Sequence, residues 1–254
     1  MKYIDGLVSI ITPVYNSSKY IGKMLDSVCS QIYQNWELII VDDCSTDDTV
    51  SVIEKYQQKD IRIKLCKLAV NQGPANARNL AIKKAEGRYV AFLDSDDYWT
   101  SDKLSKQIEF MQKNSYAVTW HDYWYIKTNE NNRLIHVKTP DSLNYEGLLK
   151  GNSTGSSLTI CIDRNVVDNI YMPNQKHEDY ICWLNILKEY HLTGYGLHES
   201  LGYYRIGKPS VSNNKIKSVF WTWKVYRDSQ GLSLIKSIYC MIYYITKALL
   251  KRGR

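Results

Sequence analysis

RYVAFLDSDDYW, residues 88–99, joins a short apolar segment to a cluster of acids. Tyr89 to Leu93 has the length, the valine and the aromatic content of a buried strand rather than of a helix. The DSDD that follows places three carboxylates within four residues, which is unfavourable unless a cation or hydrogen-bond donors hold them. A hard divalent cation fits, and because Mg²⁺ takes few protein ligands, the cluster also predicts a phosphorylated ligand. The alternative is an acidic turn that caps the next helix, with Asp97 or Ser101 as the N-cap.

Three further apolar segments precede this stretch, and each predicts a buried strand. They are Leu7 to Thr12, ended by Pro13, then Trp36 to Val41 and Ile61 to Leu65. The connecting segments predict helices over about 19–32, 48–57 and 75–85. This alternation predicts an α/β fold, a mostly parallel sheet with helices on both faces and ligands outside the carboxyl ends of the strands. The first strand is followed by TPVYNSS without GxGxxG, which disfavours a dinucleotide site.

After residue 99 the pattern changes to aromatic strands with fewer helices. We expect a helix over 103–113, strands over 117–126 and 134–137 joined by the polar turn KTNENN, and a loop, NSTGSS, that leads into a strand, LTICI. A further helix is expected from about His177, and short strands between 193 and 204. Internal repeats and low-complexity linkers are absent from the sequence, so one continuous domain is the simplest interpretation.

Composition restricts the class of protein. The 254 residues include six scattered cysteines without a CxxC pair, and strand-like sequence starts by Leu7 in place of a secretory leader. We interpret the cysteines as reduced thiols of a cytoplasmic protein. The sequence contains no run of about 18 uncharged apolar residues, so a helix that spans a membrane is not expected.

The net charge of +7 is concentrated at the C-terminal end. Residues 215–254 carry nine Lys or Arg against one acid, Asp228, which leaves the remainder nearly neutral. This distribution disfavours a nucleic-acid-binding domain and indicates a local attachment to an anionic membrane surface. The tail also predicts an amphipathic helix that lies in the interface, unless that helix simply packs on the domain. Its predicted apolar stripe is Leu234, Ile238, Met241, Ile245 and Leu249.

Four segments, in this order, resemble the inverting family 2 glycosyltransferases of the GT-A fold: VSIITPVYN, WELIIVDDCSTDDT, NQGPANARNLAIKKAEGRYVAFLDSDDYW and HEDYICWLNIL. The resemblance extends over nearly the whole chain, and its basic C-terminal part resembles the bacterial O-antigen, capsule and teichuronic-acid enzymes of that family. It implies a Rossmann-like nucleotide-binding half at about 1–100 and an acceptor-binding half at about 101–214. Residues 215–254 would then be a basic, amphipathic helical tail.

The resemblance implies a donor-nucleotide site in the first half. Asp43 matches the position that accepts a hydrogen bond from the uracil imide, and the adjacent Asp42 would either contact the ligand or brace the loop. Arg78 would bind the nucleotide or, as an equal alternative, form a salt bridge that braces the DSD loop. In DSD, which matches the metal-binding DXD signature, Asp96 would coordinate Mn²⁺ or Mg²⁺. The other implied residues are Pro13, Tyr15 and Ser95 at the nucleotide, Asp94 at the ribose or the metal's water shell, and Asp97 on the donor-sugar side.

HEDYICW implies the acceptor side of the site. Asp179 matches the family's catalytic base, which would take the proton from the acceptor hydroxyl as its oxygen attacks the anomeric carbon. Glu178 would orient the acceptor and His177 would lie near the diphosphate. Trp183, with Ile186 and Tyr190, shares the helical face of Asp179 and would shape the acceptor pocket. Acids in a first helical turn also favour the helix dipole, which is the ordinary alternative.

Together these features imply the metal-dependent transfer of a hexose, glucose as first choice, from a UDP-sugar to a sugar on polyprenyl diphosphate. The product would carry a β-linkage, and the reaction would serve O-antigen or other surface polysaccharide synthesis at the inner face of a bacterial membrane. A nucleotidyltransferase and a non-catalytic sugar-nucleotide-binding scaffold are the alternatives. The first would need a basic loop after the first strand, and the second would lack one of Asp43, Asp96 and Asp179, which we expect to line a single cleft.

Overall fold

A computed structural model describes residues 2–127, 132–206 and 215–250. The strands are β1 (Ile4–Val14), β2 (Trp36–Asp42), β3 (Ile63–Lys67), β4 (Gly87–Phe92), β5 (Tyr98–Trp99), β6 (Val118–Lys127), β7 (Arg133–Val137), β8 (Ser142–Asn144), β9 (Cys161–Asp163) and β10 (Thr193–Ile206). The helices are α1 (Ser18–Cys29), α2 (Thr49–Gln57), α3 (Pro74–Lys84), α4 (Lys103–Asn114), α5 (Tyr145–Leu149), α6 (Glu178–Glu189), α7 (Lys215–Lys224) and α8 (Leu234–Leu250).

The described strands form one mixed, open sheet in the order β3-β2-β1-β4-β9-β6-β10-β5, with β7 beside β6 and β8 beside β10. Strands β1 to β4 are parallel, as the alternation of apolar segments and helices predicts. The chain builds outward from β1 to β3 and then returns to place β4 on the other side of β1. The switch in strand order therefore lies between the carboxyl ends of β1 and β4, where ligands bind in open α/β sheets.

Helices cover both faces of the sheet, and the central strands β1, β2 and β4 are mostly buried on both sides. On one face, α1, α2 and α4 bury residues such as Leu25, Ile53 and Leu104. On the other face, α3 and α6 contribute small and large apolar residues, among them Ala77 and Leu184. All seven residues of β2 are buried, which explains the near-continuous hydrophobic sequence of this central strand.

The second half of the sheet differs from its sequence-based prediction. One strand, β10, replaces the short strands expected between 193 and 204, and its register against β6 shifts between Leu197 and Tyr203, which interrupts the alternating pattern. LTICI divides into a 3₁₀ turn at Ser157–Thr159 and the short strand β9, which runs antiparallel to β4 and β6 and joins the two halves of the sheet. Residues 128–131 of the predicted KTNENN turn lie outside the described residues.

Two boundaries in the first half also shift. The first strand does not end at Pro13 but continues to Val14, because Pro13 still aligns with Val41 of β2. The helix expected over 19–32 ends at Cys29, and Ile32 is left 65% exposed. All six cysteines are free thiols.

The tail packs on the rest of the domain. This was the alternative to membrane attachment, and it describes one face of α8. After α7, a π-helical segment, Val225–Ser229, buries Tyr226, whose hydroxyl donates to the Leu149 carbonyl at 2.6 Å. Within α8, Cys240 and Met241 are buried in the core that contains α3 and α6. No helix among the described residues has both the length and the apolar content that crossing a bilayer requires.

The predicted apolar stripe of α8 is wrong in one respect, because its members lie on two faces. Met241 is buried, whereas Leu234, Ile238 and Ile245 are exposed. The side chain of Leu249 lies outside the described residues. The helix therefore has one apolar face on the domain and a second apolar face exposed at its surface.

Candidate active site

Two cavities contain the acids that the sequence singles out. The DSD cavity, of about 340 Å³, lies at the carboxyl ends of β1 to β4 and is lined by Pro13, Val14, Tyr15, Asp43, Asn71, Gly73, Pro74, Arg78, Asp94, Ser95 and Asp96. The Asp179 cavity, of about 360 Å³, is lined by Tyr123, Tyr125, Leu148, residues 151–156, His177, Asp179, Tyr180, Trp183, Tyr204, Thr222 and Tyr244. Asp43 and Asp96 line one of these cavities and Asp179 lines the other, and Arg78 joins the two through Asp94 and Glu178. That all three acids line a single cleft stays a prediction.

The Asp43 carboxylate fixes the loop after β3 against the end of β2. Its Oδ1 accepts the Gln72 N–H at 2.7 Å and its Oδ2 accepts the Gly73 N–H at 2.8 Å. Gly73 has a φ of +87°, which glycine adopts without strain, and α3 starts directly after it. Each carboxylate oxygen keeps a second lone pair, so Asp43 can accept a further N–H from a ligand in the cavity.

The neighbouring Asp42 braces its own loop. Its Oδ2 accepts the Ser45 N–H at 3.1 Å, and its side chain does not line the cavity. Tyr15 is 51% exposed at the DSD cavity, which rules out the core role that its position after a proline would otherwise suggest. Ser95 is hydrogen-bonded through its hydroxyl to Ser17 Oγ at 2.7 Å, which ties the DSD loop to the start of α1.

Arg78 connects the two cavities. Its buried guanidinium donates to Asp94 Oδ1 at 2.6 Å and to Glu178 Oε1 at 3.1 Å, and Glu178 adjoins Asp179 at the start of α6. Burial disfavours the charged guanidinium, but the carboxylates of Asp94, Asp179 and Glu178 outweigh it and raise the pKa of Arg78. Burial, followed by the charge of Asp179, raises the pKa of Glu178. The bracing alternative thus describes the contacts of Arg78, although it also lines the DSD cavity.

Asp96 and Asp97 have opposite environments. Asp96 is exposed and lines the DSD cavity, whereas Asp97 is 2% exposed and accepts the Arg205 N–H of β10 at 2.9 Å. Burial, with the charges of Asp96 and Asp94, raises the pKa of Asp97 well above its usual range. Asp97 therefore holds the DSD loop on β10 and does not line the DSD cavity, and its predicted place on the donor-sugar side stays a prediction.

The donor set of the DSD cavity fits a divalent ion that takes few protein ligands. Asp96 and Asp94 are hard oxygen donors in the cavity, and phosphate and water would complete the coordination shell. Among the residues that the structure describes, no group of three or more His, Cys, Asp or Glu is arranged to hold a metal without such a ligand. The ion would be held mainly by Asp96, whose exposed side chain lines the cavity.

Asp179 lies in the first turn of α6 and lines its cavity with little competition for its carboxylate. Oδ1 accepts the N–H of Tyr180 at 2.7 Å and Oδ2 accepts the Ser157 hydroxyl at 3.3 Å. His177 precedes α6 in a left-handed conformation with φ of +63° and lines the same cavity, not the DSD cavity. A carboxylate beside an open cavity, held by one backbone and one hydroxyl donor, is suited to accept a proton.

Only part of the aromatic stripe predicted on α6 reaches the Asp179 cavity. Trp183 lines it and packs edge to face on Phe92, with ring centroids 5.1 Å apart. Tyr190 instead donates its hydroxyl to Asp168 at 2.6 Å, outside the cavity, and Ile186 is buried in the core. Glu178 does not line this cavity and forms an ion pair with Arg78, so its contact with an acceptor stays a prediction.

Several residues of the Asp179 cavity belong to none of the motifs singled out in the sequence. Tyr123 and Tyr125 of β6 stack edge to face and lie two residues apart, so they project from the same side of the strand. Tyr204 of β10 packs on Tyr125, and burial, followed by the charge of Asp97, raises the pKa of Tyr204, which keeps its phenol protonated as a donor. The alternation of tyrosines in DYWY, residues 122–125, could have shown that Tyr123 and Tyr125 lie on the same side of a strand. The contributions of Thr222 and Tyr244 from the tail were not visible, because nothing local relates the tail to α6.

The fold is shared with solved glycosyltransferase structures. The crystal structure of S. aureus TarS in complex with UDP superposes with a TM-score of 0.69 at 24% identity, covering 94% of this chain and 70% of that chain. The likeness at this level of identity is one of fold, and it supports the GT-A architecture.

Sequence relatives are closer. The chain is 43% identical over 247 residues to the putative teichuronic acid biosynthesis glycosyltransferase TuaG of Bacillus subtilis, covering 97% of both chains. It is 37% identical over 241 residues to the UDP-Glc:alpha-D-GlcNAc-diphosphoundecaprenol beta-1,3-glucosyltransferase WfgD of Escherichia coli, covering 95% of this chain and 93% of that protein. Residues 9–170 match the model of glycosyl transferase family 2. The chain therefore belongs to glycosyl transferase family 2 and is a glycosyltransferase.

Proposed function

We propose that the protein is a metal-dependent, inverting hexosyltransferase of bacterial surface polysaccharide synthesis, with O-antigen as the first case to test. It would transfer glucose from UDP-glucose to an N-acetylglucosamine carried on polyprenyl diphosphate and form a β-linkage. The observation that carries the proposal is the Arg78 bridge, which holds the DSD loop next to the helix turn that presents Asp179. The donor and acceptor are those named for the relative WfgD.

In this proposal the DSD cavity binds the donor and the Asp179 cavity binds the acceptor. The DSD cavity would bind UDP, with the uracil beside Tyr15 and Pro13 and its imide N–H donated to Asp43. Mn²⁺ or Mg²⁺ at Asp96 would neutralise the charge that develops on the leaving diphosphate. Asp179 would accept the proton of the acceptor hydroxyl as that oxygen attacks the anomeric carbon. The catalytic domain would comprise residues 1–214, with a nucleotide-binding half to about residue 100 and the acceptor-binding half after it.

A donor screen tests this proposal. Purified protein is incubated with several UDP-sugars, Mn²⁺ and an N-acetylglucosamine diphosphate lipid, and UDP release and product are measured with and without EDTA. We expect release to be largest with UDP-glucose, to stop with EDTA and to return with excess Mn²⁺, because the leaving diphosphate then loses and regains its counter-charge. Formation of UTP and sugar 1-phosphate when pyrophosphate is added to the UDP-sugar would indicate a nucleotidyltransferase. Neither UDP release nor UTP formation from any donor would indicate a binding scaffold. Activity that is indifferent to EDTA would remove the metal from the proposal.

The tail, residues 215–254, would attach the enzyme peripherally to the inner face of the bacterial membrane, where its lipid-linked acceptor resides. The exposed face of α8 presents isoleucines at helical spacing, with Ile235 82%, Ile238 46% and Ile242 56% exposed. Tyr239 and Tyr243 flank them, and the tail has a strong excess of cations. An apolar face with aromatic and basic neighbours matches an anionic lipid surface.

Replacing Ile235, Ile238 and Ile242 together by glutamine is expected to lower binding to phosphatidylglycerol vesicles by at least about tenfold, since three partly inserted side chains lose well over 1.4 kcal/mol. The readout is co-sedimentation with vesicles, and Ile61→Gln is the matched control, because Ile61 is 91% exposed on the body. Unchanged vesicle binding by the triple variant would show that this face does not contact the membrane. Truncation after Ser229 is a poorer test, because it also removes Tyr244 from the cavity wall.

A further inference from the structure

The tail forms part of the Asp179 cavity. Thr222 of α7 and Tyr244 of α8 line it together with Asp179. Trp221, the neighbour of Thr222, packs edge to face on His177 with ring centroids 5.9 Å apart. A helix that only carried the protein to a membrane would not need to contribute to this wall, so the position of α8 bears on what the cavity binds.

Helix α8 approaches the wall of the cavity at Gly151. Gly151 has a φ of +73°, and a Cβ added there would lie 2.9 Å from the Tyr244 Cα, so only glycine permits this contact. The contact brings two lysines to the junction between the cavity and the helix. Lys150 Nζ lies 5.4 Å from the Tyr239 ring centroid and 5.6 Å from that of Tyr243. Lys247 Nζ donates to Asn152 Oδ1, and Asn152 lines the cavity.

The charges at this junction suit an anion. Apart from its tyrosines, the described wall of the cavity contains two ionisable side chains, His177 and Asp179, so an anionic group needs its cations from the rim. Lys150 and Lys247 supply them on the α8 side. Lys236, the next lysine of α8 toward its N-terminus, forms an ion pair with Glu146 at 2.6 Å. The exposed isoleucines of α8 continue from this rim along the surface.

We propose that Lys150 and Lys247 bind the diphosphate of the lipid-linked acceptor at the junction of the Asp179 cavity with α8. The inference rests on the proposed function, and it adds the residues that recognise the acceptor's charged group. The acceptor has the order sugar, diphosphate, lipid, and the protein presents the order aromatic cavity, lysine pair, apolar helix face. Lysine ammonium groups bind phosphate oxygens as charge-assisted hydrogen-bond donors.

Two acceptors that differ only in the diphosphate test the proposal. One is N-acetylglucosamine α-linked to a diphosphate with an alkyl chain, and the other is the α-glycoside of the same alkyl alcohol. The measured quantity is the ratio of kcat/KM for the first acceptor to kcat/KM for the second. In the double variant Lys150→Met, Lys247→Met, which keeps most of the aliphatic length, we expect this ratio to fall about thirtyfold, because two charge-assisted contacts are lost. Each single variant should give part of the fall, and UDP affinity is measured alongside as a check of folding.

Lys236→Met is the matched control, since it removes a lysine of the same helix that is paired with Glu146, and its ratio should equal that of the wild type. Suppose that the wild-type enzyme prefers the diphosphate acceptor but the kcat/KM ratio is unchanged in the double variant. This result would overturn the inference and leave the proposed function intact. A wild-type enzyme that uses both acceptors equally would also overturn it. Transfer to neither acceptor by the wild type, from any donor, would overturn the proposed function and this inference with it.

Discussion

Asp179→Asn is expected to lower kcat for sugar transfer by about a thousandfold, within the 10²–10⁴ range of general-base catalysis. Asparagine has nearly the same shape. Its oxygen can accept the Tyr180 N–H that Oδ1 accepts at 2.7 Å, and its NH₂ group can donate to the Ser157 hydroxyl, so the cavity should keep its form. It has no carboxylate, however, so the proton of the acceptor hydroxyl has no acceptor at this point of the wall. The measurement is kcat with saturating donor and acceptor, together with UDP affinity. Under the proposed function UDP binds in the DSD cavity, so its affinity should stay within about twofold of wild type, well under 1 kcal/mol.

Glu189→Gln is the control for the loss of a carboxylate on the same helix. Glu189 lies at the other end of α6 and is exposed, so its replacement should leave kcat unchanged. The smallest loss expected for a general base is about a hundredfold. If Asp179→Asn kept more than about a tenth of wild-type kcat, another group would have to accept the proton. His177 would then be the next residue to test, since it lines the same cavity.

The sequence predicted best those parts of the fold that are determined by residues adjacent along the chain. Strands β1 to β4 could be recognised because each is a short apolar segment that ends in polar loops, and parallel pairing then brings those loops to one edge. Tyr15, Asp43 and Asp96 were accordingly predicted in one place, and all three line the DSD cavity. These residues closely follow the strands that position them, so the strand pattern places their loops at one edge of the sheet. Their assignment to a donor site came from the family resemblance and stays a prediction.

Elements that depend on distant pairing were not predictable in the same way. β9 inserts antiparallel between β4 and β6 by matching Ile162 to both Val90 and Val118, and no local pattern in LTICI specifies those partners. Glu178 is separated from Arg78 by 100 residues, and their ion pair was not predicted; the sequence suggested only that Arg78 binds the nucleotide or braces the DSD loop. The two apolar faces of α8 could not be predicted for the same reason. The spacing of apolar residues predicts an amphipathic helix but does not show which of those residues the domain will cover.

The second large effect is expected at Arg78, where a change of side-chain shape should matter even with the charge retained. Arg78→Lys should lower kcat by about a hundredfold, because one ammonium group cannot bond Asp94 and Glu178 in the geometry that a planar guanidinium provides. Arg78→Ala should additionally cost about 3–5 kcal/mol of unfolding free energy, because it leaves carboxylates in a buried site without their cation. The measurements are kcat, UDP affinity and denaturant unfolding for both variants.

Arg88→Lys is the control for Arg78→Lys. It disturbs an arginine that bonds two carboxylates but does not link the two cavities. Arg88 also bonds two carboxylates, Asp163 at 2.7 Å and Asp5 at 2.8 Å, but it lines neither cavity. It should therefore lose stability without a comparable fall in kcat. If Arg78 acted only on the nucleotide, Arg78→Lys would weaken UDP binding and leave kcat at saturating donor intact. A fall in kcat at saturating donor, with UDP affinity nearly retained, is the result that requires Arg78 to keep the DSD loop aligned with Asp179.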